Sequence, residues 1–217
     1  NANIEVIPCC VDTDHFDPNT QQIKGITRSN LSIPDHYFVL GYIGSIGTWY
    51  MLSEMLAFFK VLLKYEKKAV FLFITRESEK LILQEASNQN IPHDSIRIVS
   101  ANREQVPSYI HLFDWSIFFI KPLFSKQASS PTKQGELMSM NIPIICNSNI
   151  GDTDYIVKTY ESGLLLENFS DSSFEELIRK MTSGQGISVE LREDARLFFG
   201  LENGIKKYAA VYEHCLS

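Results

Sequence analysis

The sequence predicts an α/β fold with one doubly wound parallel sheet, and three observations lead to this prediction. Short apolar runs rich in Val, Ile and Phe alternate with amphipathic segments over residues 37–166. The runs show little alternation of polar and apolar residues, which is typical of parallel strands buried on both faces. Such strand–helix alternation favours right-handed crossovers, with helices covering both faces of the sheet.

The elements follow one another along the chain with short connections. Strands are predicted at residues 37–43, 69–75, 96–100, 115–120, 142–147 and 163–166. Helices are predicted at residues 49–67, 77–88, 106–113, 131–140 and 154–159, and three extra C-terminal helices at 172–183, 189–199 and 201–215. The segment 49–67 is the clearest helix, because its apolar residues form one stripe at helical spacing.

Size and composition bound the class of protein. A chain of 217 residues can bury a core without disulfide bonds or metals. Its formal net charge of −6 gives no electrostatic reason to bind nucleic acid. The four cysteines lack CxxC spacing and paired histidines, so neither a zinc site nor a disulfide framework is predicted. Four cysteines in a chain of this length favour a reduced, cytoplasmic context. No apolar run approaches the ~20 residues of a membrane span, and nothing at the N-terminus resembles a signal peptide.

The loop after the first predicted strand is a candidate anion site, with the sequence GYIGSIGTW at residues 41–49. Ligands of open α/β sheets bind at the carboxyl ends of the strands, where Gly44 and Gly47 would let phosphates approach the backbone. Thr48 is a predicted N-cap of the next helix, whose amide groups would then point at the loop. The pattern is neither GxGxxG nor a P-loop, so a tight turn that merely needs glycine remains an alternative.

The segment before the fifth predicted strand is a second candidate site, with the sequence SSPTKQGE at residues 129–136. Ser130 is a predicted N-cap with Pro131 at the first helical position, and a helix N-terminus binds anions. Lys133 lies in the first turn, where the helix dipole disfavours a cation, so its position indicates an anionic ligand. Glu136 lies on the same face, where a carboxylate can accept hydrogen bonds from a ribose diol. The two together suit a nucleotide; the alternative is a Lys–Glu surface pair.

Two weaker candidates lie near the same edge of the sheet. Arg76 follows the second strand, within reach of a phosphate, and the loop 100–106 offers backbone groups to a base. Residues of both kinds are more often solvated loop residues than ligands. The five histidines have no metal-binding or triad-like spacing, so they are interpreted as structural or surface residues.

These motifs together resemble the C-terminal, donor-binding domain of a glycosyltransferase of the GT-B fold, close to family 4. The matching segments follow the family's order. Residues 4–18 resemble the interdomain motif I-P-N-G-V-D…F-x-P, and residues 39–44 the first donor-domain strand with its glycine turn. Residues 130–145 resemble the nucleotide-sugar helix with the next strand, 163–165 a short strand and 199–212 the last helix. The resemblance therefore covers nearly the whole chain.

The resemblance implies a Rossmann-like domain that binds a nucleoside-diphosphate sugar without a metal or other cofactor. It further implies a retaining hexosyltransferase of bacterial polysaccharide or glycoconjugate biosynthesis. By motif matching, Glu136 would bind the ribose hydroxyls and Lys133 the diphosphate, and no catalytic residue is assigned. The donor-binding candidates are Gly44, Ser45, Gly47, Thr48, Arg76, Ser130, Pro131, Thr132, Lys133 and Glu136.

The sequence departs from the family at two places. The family often has Arg after the first glycine turn and Lys a few residues later, where this chain has Ser45 and the segment TWYM at 48–51. The first Glu of the family's paired-Glu motif is replaced by Ala128. Diphosphate binding is therefore expected to depend on Lys133, or on Arg76 or Lys126.

The resemblance also predicts how the chain is organised. Residues 1–34 would be an interdomain lead-in, residues 35–198 the nucleotide-sugar-binding domain and residues 199–217 a crossover helix. The acceptor-binding N-terminal domain is not in the sequence, which begins without Met, so we expect the chain to be part of a longer protein. Alone it is expected to bind donor but to transfer no sugar. Peripheral membrane association of the full-length protein is compatible with the sequence.

Two alternatives stay open at this point. A non-catalytic nucleotide-binding or interaction domain of the same fold would account for Ser45 and Ala128. The other is a different doubly wound enzyme, either a nucleotide-sugar epimerase of GT-B shape or a dinucleotide oxidoreductase. The absent GxGxxG motif argues against the oxidoreductase, and no clear acid–base residues indicate an epimerase.

Overall fold

A parallel sheet is the centre of the computed structural model, which describes residues 4–20, 25–184 and 187–216. Within those residues the strands are β1 (Phe38–Ile43), β2 (Ala69–Ile74), β3 (Ile96–Val99), β4 (Trp115–Phe118), β5 (Ile144–Asn147) and β6 (Gly163–Leu166). The helices are α1 (Leu52–Tyr65), α2 (Glu79–Asn88), α3 (Val106–Ile110), α4 (Thr132–Ser139), α5 (Thr153–Tyr160), α6 (Asp171–Ser183), α7 (Leu191–Phe199) and α8 (Leu201–Leu216).

The strand order of the sheet confirms the predicted doubly wound α/β fold. The described strands run in the order β3-β2-β1-β4-β5-β6, and every neighbouring pair is parallel. The chain moves outward from β1 to one edge and then returns to β4 on the other side of β1. The strand order therefore reverses between β1 and β4, and the carboxyl ends of these strands form the crevice where ligands of such sheets bind.

The apolar runs that predict the strands are buried, as expected for a sheet covered on both faces. Every residue of β2 is buried, and so is every residue of β1 after Phe38. On one face, Phe58 of α1 packs edge-on against Phe119 and Phe174, with ring centroids 6.5 and 5.5 Å away. Burial of each such ring stabilises the fold by about 1.5–3 kcal/mol.

Helix α1 begins at Leu52 rather than at the predicted residue 49, and the prediction of Thr48 as its N-cap is wrong. Thr48 has a φ of 40°, in the left-handed region, and the N-cap is Met51. Tyr50 forms an antiparallel bridge with Ile120, and the amide of Met51 donates to the carbonyl of Phe119 over 3.0 Å. The chain beyond β4 therefore holds this segment outside the helix.

Helix α4 also begins one residue later than predicted. Pro131 is its N-cap, with an extended backbone (φ −67°, ψ 109°), and Thr132 is the first helical residue. The predictions of Ser130 as N-cap and of Pro131 inside the helix are therefore wrong. The Ser130 hydroxyl instead accepts a hydrogen bond from the amide of Cys9 over 3.1 Å. Lys133 remains in the first turn of the helix.

The lead-in segment packs along the C-terminal helices. The amide of Val11 donates to the carbonyl of Phe199 over 2.8 Å, and Arg192 pairs with Asp17 at 3.0 Å. These contacts place Phe16, which is 1% exposed, next to the carboxyl edge of the sheet. The division at residues 34 and 199 stays a prediction about the full-length protein.

Helix α8 carries the apolar stripe that its sequence predicts, and the stripe faces outward. Within Leu201–Leu216 only Gly204 is buried. Its large exposed apolar side chains are Leu201, Ile205, Tyr208, Val211, Tyr212 and Leu216. None of the helices formed by the described residues is long and apolar enough to span a membrane.

Candidate functional site

A cavity of about 480 Å³ opens at the carboxyl ends of β1 and β2, beside the point where the strand order reverses. The lead-in, the β1–α1 turn, the segments after β2 and β3, and the N-terminal half of α4 form its wall. Its lining residues are Phe16, Ile43, Gly44, Ser45, Tyr50, Ile74, Thr75, Arg76, Glu77, Ala101, Arg103, Val106, Thr132, Lys133 and Glu136. Five segments that are far apart in sequence thus meet at one place.

Gly44 ends β1 in a conformation that only glycine adopts without strain. Its φ is 110°, and its amide donates to the carbonyl of Ile74 over 3.0 Å. A Cβ atom at this position would lie 3.2 Å from Nζ of Lys133. The glycine therefore serves two purposes: it permits the turn, and it leaves the backbone open beside a buried ammonium group.

Lys133 reaches from the first turn of α4 to the end of β1. Its side-chain nitrogen donates to the carbonyl of Ile43 over 2.7 Å and to the hydroxyl oxygen of Tyr42 over 3.3 Å. The Tyr42 hydroxyl in turn donates to the carbonyl of Ser45. The ring centroid of Tyr50 lies 3.6 Å from Nζ and that of Tyr42 lies 4.4 Å away. The nitrogen is thus enclosed by carbonyl and phenol oxygens and by aromatic faces.

Burial sets the electrostatics of Lys133. The residue is 8% exposed, and loss of hydration lowers the pKa of its amine to about 7, while the charge of Glu136 acts in the opposite direction. A buried lysine without a hydrogen-bonded carboxylate is costly, because desolvation disfavours the ammonium form. The alternative of a Lys133–Glu136 surface pair is therefore not what the structure shows.

Glu136 lies one turn further along α4 and faces the segment after β3. Its carboxylate is 3.5 Å from a guanidinium nitrogen of Arg103, and the two side chains are 14% and 65% exposed. Burial raises the pKa of Glu136, and the charge of Arg103 opposes the rise. The carboxylate is consequently a half-buried acceptor whose ion-pair partner is solvated, and another set of donors can replace that partner.

Arg103 itself lies on an aromatic surface. Its guanidinium carbon is 5.5 Å from the ring centroid of Phe16, and its carbonyl accepts a hydrogen bond from Nε2 of His15 over 3.0 Å. The sequence predicts a role for the backbone of the loop 100–106, but it does not predict Arg103 or Phe16 as cavity residues. Arg103 and Phe16 come together because the lead-in crosses the carboxyl edge of the sheet. No local sequence pattern predicts that crossing.

The structure brings six of the ten predicted donor-binding residues to the cavity wall. They are Gly44, Ser45, Arg76, Thr132, Lys133 and Glu136. Arg76 is exposed and donates to the carbonyl of Ala101 over 3.3 Å. The other four are outside the lining: Gly47 and Thr48 lie in an exposed turn, Ser130 binds the lead-in, and Pro131 is buried. Tyr42 and Tyr50, which enclose Lys133, were not predicted.

The arrangement suits a ligand that carries both negative charge and hydroxyl groups. Open backbone at Gly44, a buried amine and the N-terminus of α4 lie at one end of the wall, and an acceptor carboxylate lies one helical turn away. Among the residues that the structure describes, no three His, Cys, Asp or Glu side chains are grouped as metal ligands would be.

A doubly wound sheet with such a cavity at its switch point is the architecture of α/β domains that bind nucleotides. The chain belongs to the family described as glycosyl transferases group 1, whose model matches residues 24–198. A comparison with curated protein sequences gives no match.

Several solved structures share the fold of the chain. Sucrose-phosphate synthase from Thermosynechococcus elongatus is 15% identical to this chain, with a TM-score of 0.76. The match covers 98% of this chain and 52% of the synthase. A glycosyltransferase from Rickettsia africae is 17% identical with a TM-score of 0.71, covering 99% of this chain and 57% of its own. Anabaena HepE, solved with UDP-glucose, is 13% identical with a TM-score of 0.75, and the match covers 97% of this chain and 57% of HepE. This chain thus spans little more than half the length of these three proteins.

Proposed function

We propose that the cavity binds the nucleotide portion of a nucleoside-diphosphate sugar, and that this domain is the donor-binding part of a sugar transferase. The observation that carries the proposal is the meeting of the Gly44 turn, the first turn of α4 and the Glu136 carboxylate in one cavity of about 480 Å³. Membership of the group 1 glycosyl transferases supports the same conclusion.

Each end of the cavity has a role in this proposal. The diphosphate would lie against Gly44 and the N-terminus of α4, near Lys133, because backbone amides, the helix dipole and the amine favour negative charge there. The ribose hydroxyls would donate to Glu136 and replace Arg103 as its partner. When the sugar departs, charge building on the diphosphate would be stabilised by these fixed donors without a metal or other cofactor.

The finer proposals concern the full-length protein. We assign it to family 4 of the glycosyltransferases, as a retaining hexosyltransferase of bacterial polysaccharide or glycoconjugate synthesis in the cytoplasm. An N-terminal acceptor-binding domain would complete the active site, which agrees with relatives about twice as long as this chain. Sugar transfer by the purified 217-residue chain alone would contradict this division of labour.

A second candidate is a non-catalytic nucleotide-binding or interaction domain, and Ser45 and Ala128 favour it. Neither position supplies a charge that the transferases of this family often place there. Lys126, the nearest cation to Ala128 in sequence, lies over the ring of Trp49 at 4.2 Å and is not among the cavity residues. Nucleotide binding without sugar transfer by the full-length protein would decide for this candidate.

The experiment that tests binding is thermal unfolding of the chain with UDP, GDP, ADP and CDP, each also as a nucleotide sugar. UDP is the first probe, because a relative of the same fold was solved with UDP-glucose. A ligand at a hundredfold excess over its dissociation constant should stabilise the fold by about 2.7 kcal/mol, which raises the Tm by roughly 5–10 °C at this size.

A matched pair of variants locates the binding. Lys133→Ala removes a basic side chain from the cavity wall, whereas Lys126→Ala removes a half-buried one outside it. The shift should shrink for the first variant and persist for the second. Loss of the shift in both variants, or in neither, would contradict the assignment of the diphosphate to this cavity.

A further inference from the structure

The amine of Lys133 stands at the meeting of three structural elements. Its helix α4 presents it, strand β1 supplies the carbonyl of Ile43 and the phenol of Tyr42 as acceptors, and the β1–α1 turn supplies the ring of Tyr50. An ammonium group has three protons to donate. The Tyr42 hydroxyl donates its own proton to Ser45, so its oxygen is an acceptor for Nζ. Two acceptors thus surround the nitrogen, and the ring of Tyr50 is the nearest of its aromatic neighbours.

Within the part of the chain that the structure describes, no carboxylate is ion-paired with this amine, although the charge of Glu136 favours its ammonium form. Among the described residues, the ion pair of Glu136 is with Arg103, not with Lys133. The remaining charged groups of the cavity wall are Arg76 and Glu77, from the segment after β2. The face of Phe118 on β4, 5.8 Å from Nζ, adds no formal charge. Burial therefore outweighs attraction and lowers the pKa of the amine in the ligand-free site to about 7.

Because Gly44 has no side chain, its backbone is open to an anion, and the Lys133 amine lies beside that open backbone. A Cβ there would lie 3.2 Å from Nζ, so a group packed against the glycine backbone comes within direct Coulombic reach of the nitrogen. No basic residue occurs in the turn itself, which reads GSIGTWYM at residues 44–51. The positive charge for a diphosphate at this turn must therefore come from other elements: α4 carries Lys133, and the segment after β2 carries the exposed Arg76.

We propose that Lys133 takes up a proton when a diphosphate binds against Gly44, so that nucleotide binding in this site is coupled to proton uptake. This inference rests on the proposed function and adds to it the charge state of the site. The anion favours the ammonium form, and Tyr50 lies over the cation and limits its hydration. The proton comes from solvent, and no covalent bond of the ligand changes.

The size of the effect follows from the free-site value. An opposite charge within ~4–6 Å raises such a pKa by about 1–3 units. With a rise of about two units from a value of about 7, binding takes up about 0.1 proton at pH 6, 0.5 at pH 7 and 0.8 at pH 8. The dissociation constant then weakens about tenfold between pH 6 and pH 8.

Calorimetric titration with UDP-glucose measures this uptake, if the observed enthalpy is compared in buffers of different ionisation enthalpy. UDP-glucose is the probe because its diphosphate is esterified at both ends and does not itself titrate between pH 6 and 8. Uptake that rises with pH as calculated supports the inference. Binding with no proton uptake at pH 7 and pH 8 overturns it and leaves the proposed function standing. No binding of UDP-glucose or of the GDP, ADP and CDP sugars overturns both.

Three variants assign the proton to its residue. Lys133→Arg keeps a permanent charge and Lys133→Met keeps none, so both should bind without pH-dependent uptake, the first more tightly than the second. If the arginine variant unfolds, the methionine variant alone decides. His15→Gln removes the imidazole that contacts Arg103 and should leave the uptake unchanged. Uptake that survives in Lys133→Met, or disappears in His15→Gln, would overturn the assignment. Glu136 is unchanged in these variants, so a proton taken up or released at its carboxylate would still be measured in Lys133→Met.

Discussion

The Glu136 carboxylate offers the sharpest test of how a nucleotide would lie in the cavity. We expect Glu136→Ala to remove binding energy from ligands that carry a ribose diol and from no others. Two hydroxyl donors to a half-buried carboxylate contribute about 1.5–3 kcal/mol each, so UDP should bind the variant at least about a hundredfold more weakly. The fold should change little, because the partner Arg103 is 65% exposed and exposed ion pairs contribute about 0–1 kcal/mol.

A pair of ligands turns this expectation into a double-mutant cycle. dUDP lacks the 2′-hydroxyl, so the wild type should bind it about ten- to a hundredfold more weakly than UDP. In Glu136→Ala the two ligands should bind nearly alike, because the acceptor that distinguishes them is gone. Calorimetric titration of the four combinations measures the coupling. Glu77→Ala, which removes the other carboxylate of the cavity wall, is the control and should keep the preference for UDP. A variant of Glu136 that still prefers UDP to dUDP as strongly as the wild type does would refute the ribose assignment.

Three further predictions concern stability and activity. The unfolded state holds the Lys133 proton more tightly above pH 7, so this residue should make the free energy of unfolding rise with pH, by at most about 1.4 kcal/mol per pH unit. The buried Cys146 thiol, whose pKa burial raises, acts in the opposite direction above about pH 8.5, so denaturant titrations are compared between about pH 7 and 8.5. The rise should be lost in Lys133→Met, and an equal rise in that variant would contradict the burial argument. Gly135→Ala should destabilise the fold by about 1–3 kcal/mol, because the new Cβ would lie 2.7 Å from Val11 and 2.8 Å from Phe199; Gly47→Ala, with nothing within 4 Å, is the control, and equal Tm values for both variants would count against this packing. A radiolabelled-sugar assay should detect no transfer by this chain alone.

Much of the fold was predictable because its strands are continuous apolar runs. A continuous apolar segment such as residues 69–75 is typical of an inner strand of a sheet covered on both faces, and β2 is indeed buried throughout. The start of α1 was not predictable in the same way. Thr48 is a good cap by type, but the bridge from Tyr50 to Ile120 holds the chain out of the helix, and that contact joins residues 70 positions apart.

The candidate site shows the same division between local and distant information. The 3.6-residue period places Lys133 and Glu136 on one face of α4, and both do line the cavity. The period cannot show that the amine turns away from Glu136 toward Ile43, because that direction depends on β1 and on the empty space beside Gly44. Arg103 comes from a third segment, and only the packed sheet brings it to Glu136.

The central claim is that this cavity holds a nucleoside diphosphate in one orientation, and a crystal structure of the chain with UDP tests it most directly. We expect the diphosphate to lie against Gly44 and the first turn of α4, with the ribose hydroxyls on the Glu136 carboxylate and Arg103 displaced from it. UDP bound elsewhere, or bound in the cavity with its ribose turned away from Glu136, would contradict the account.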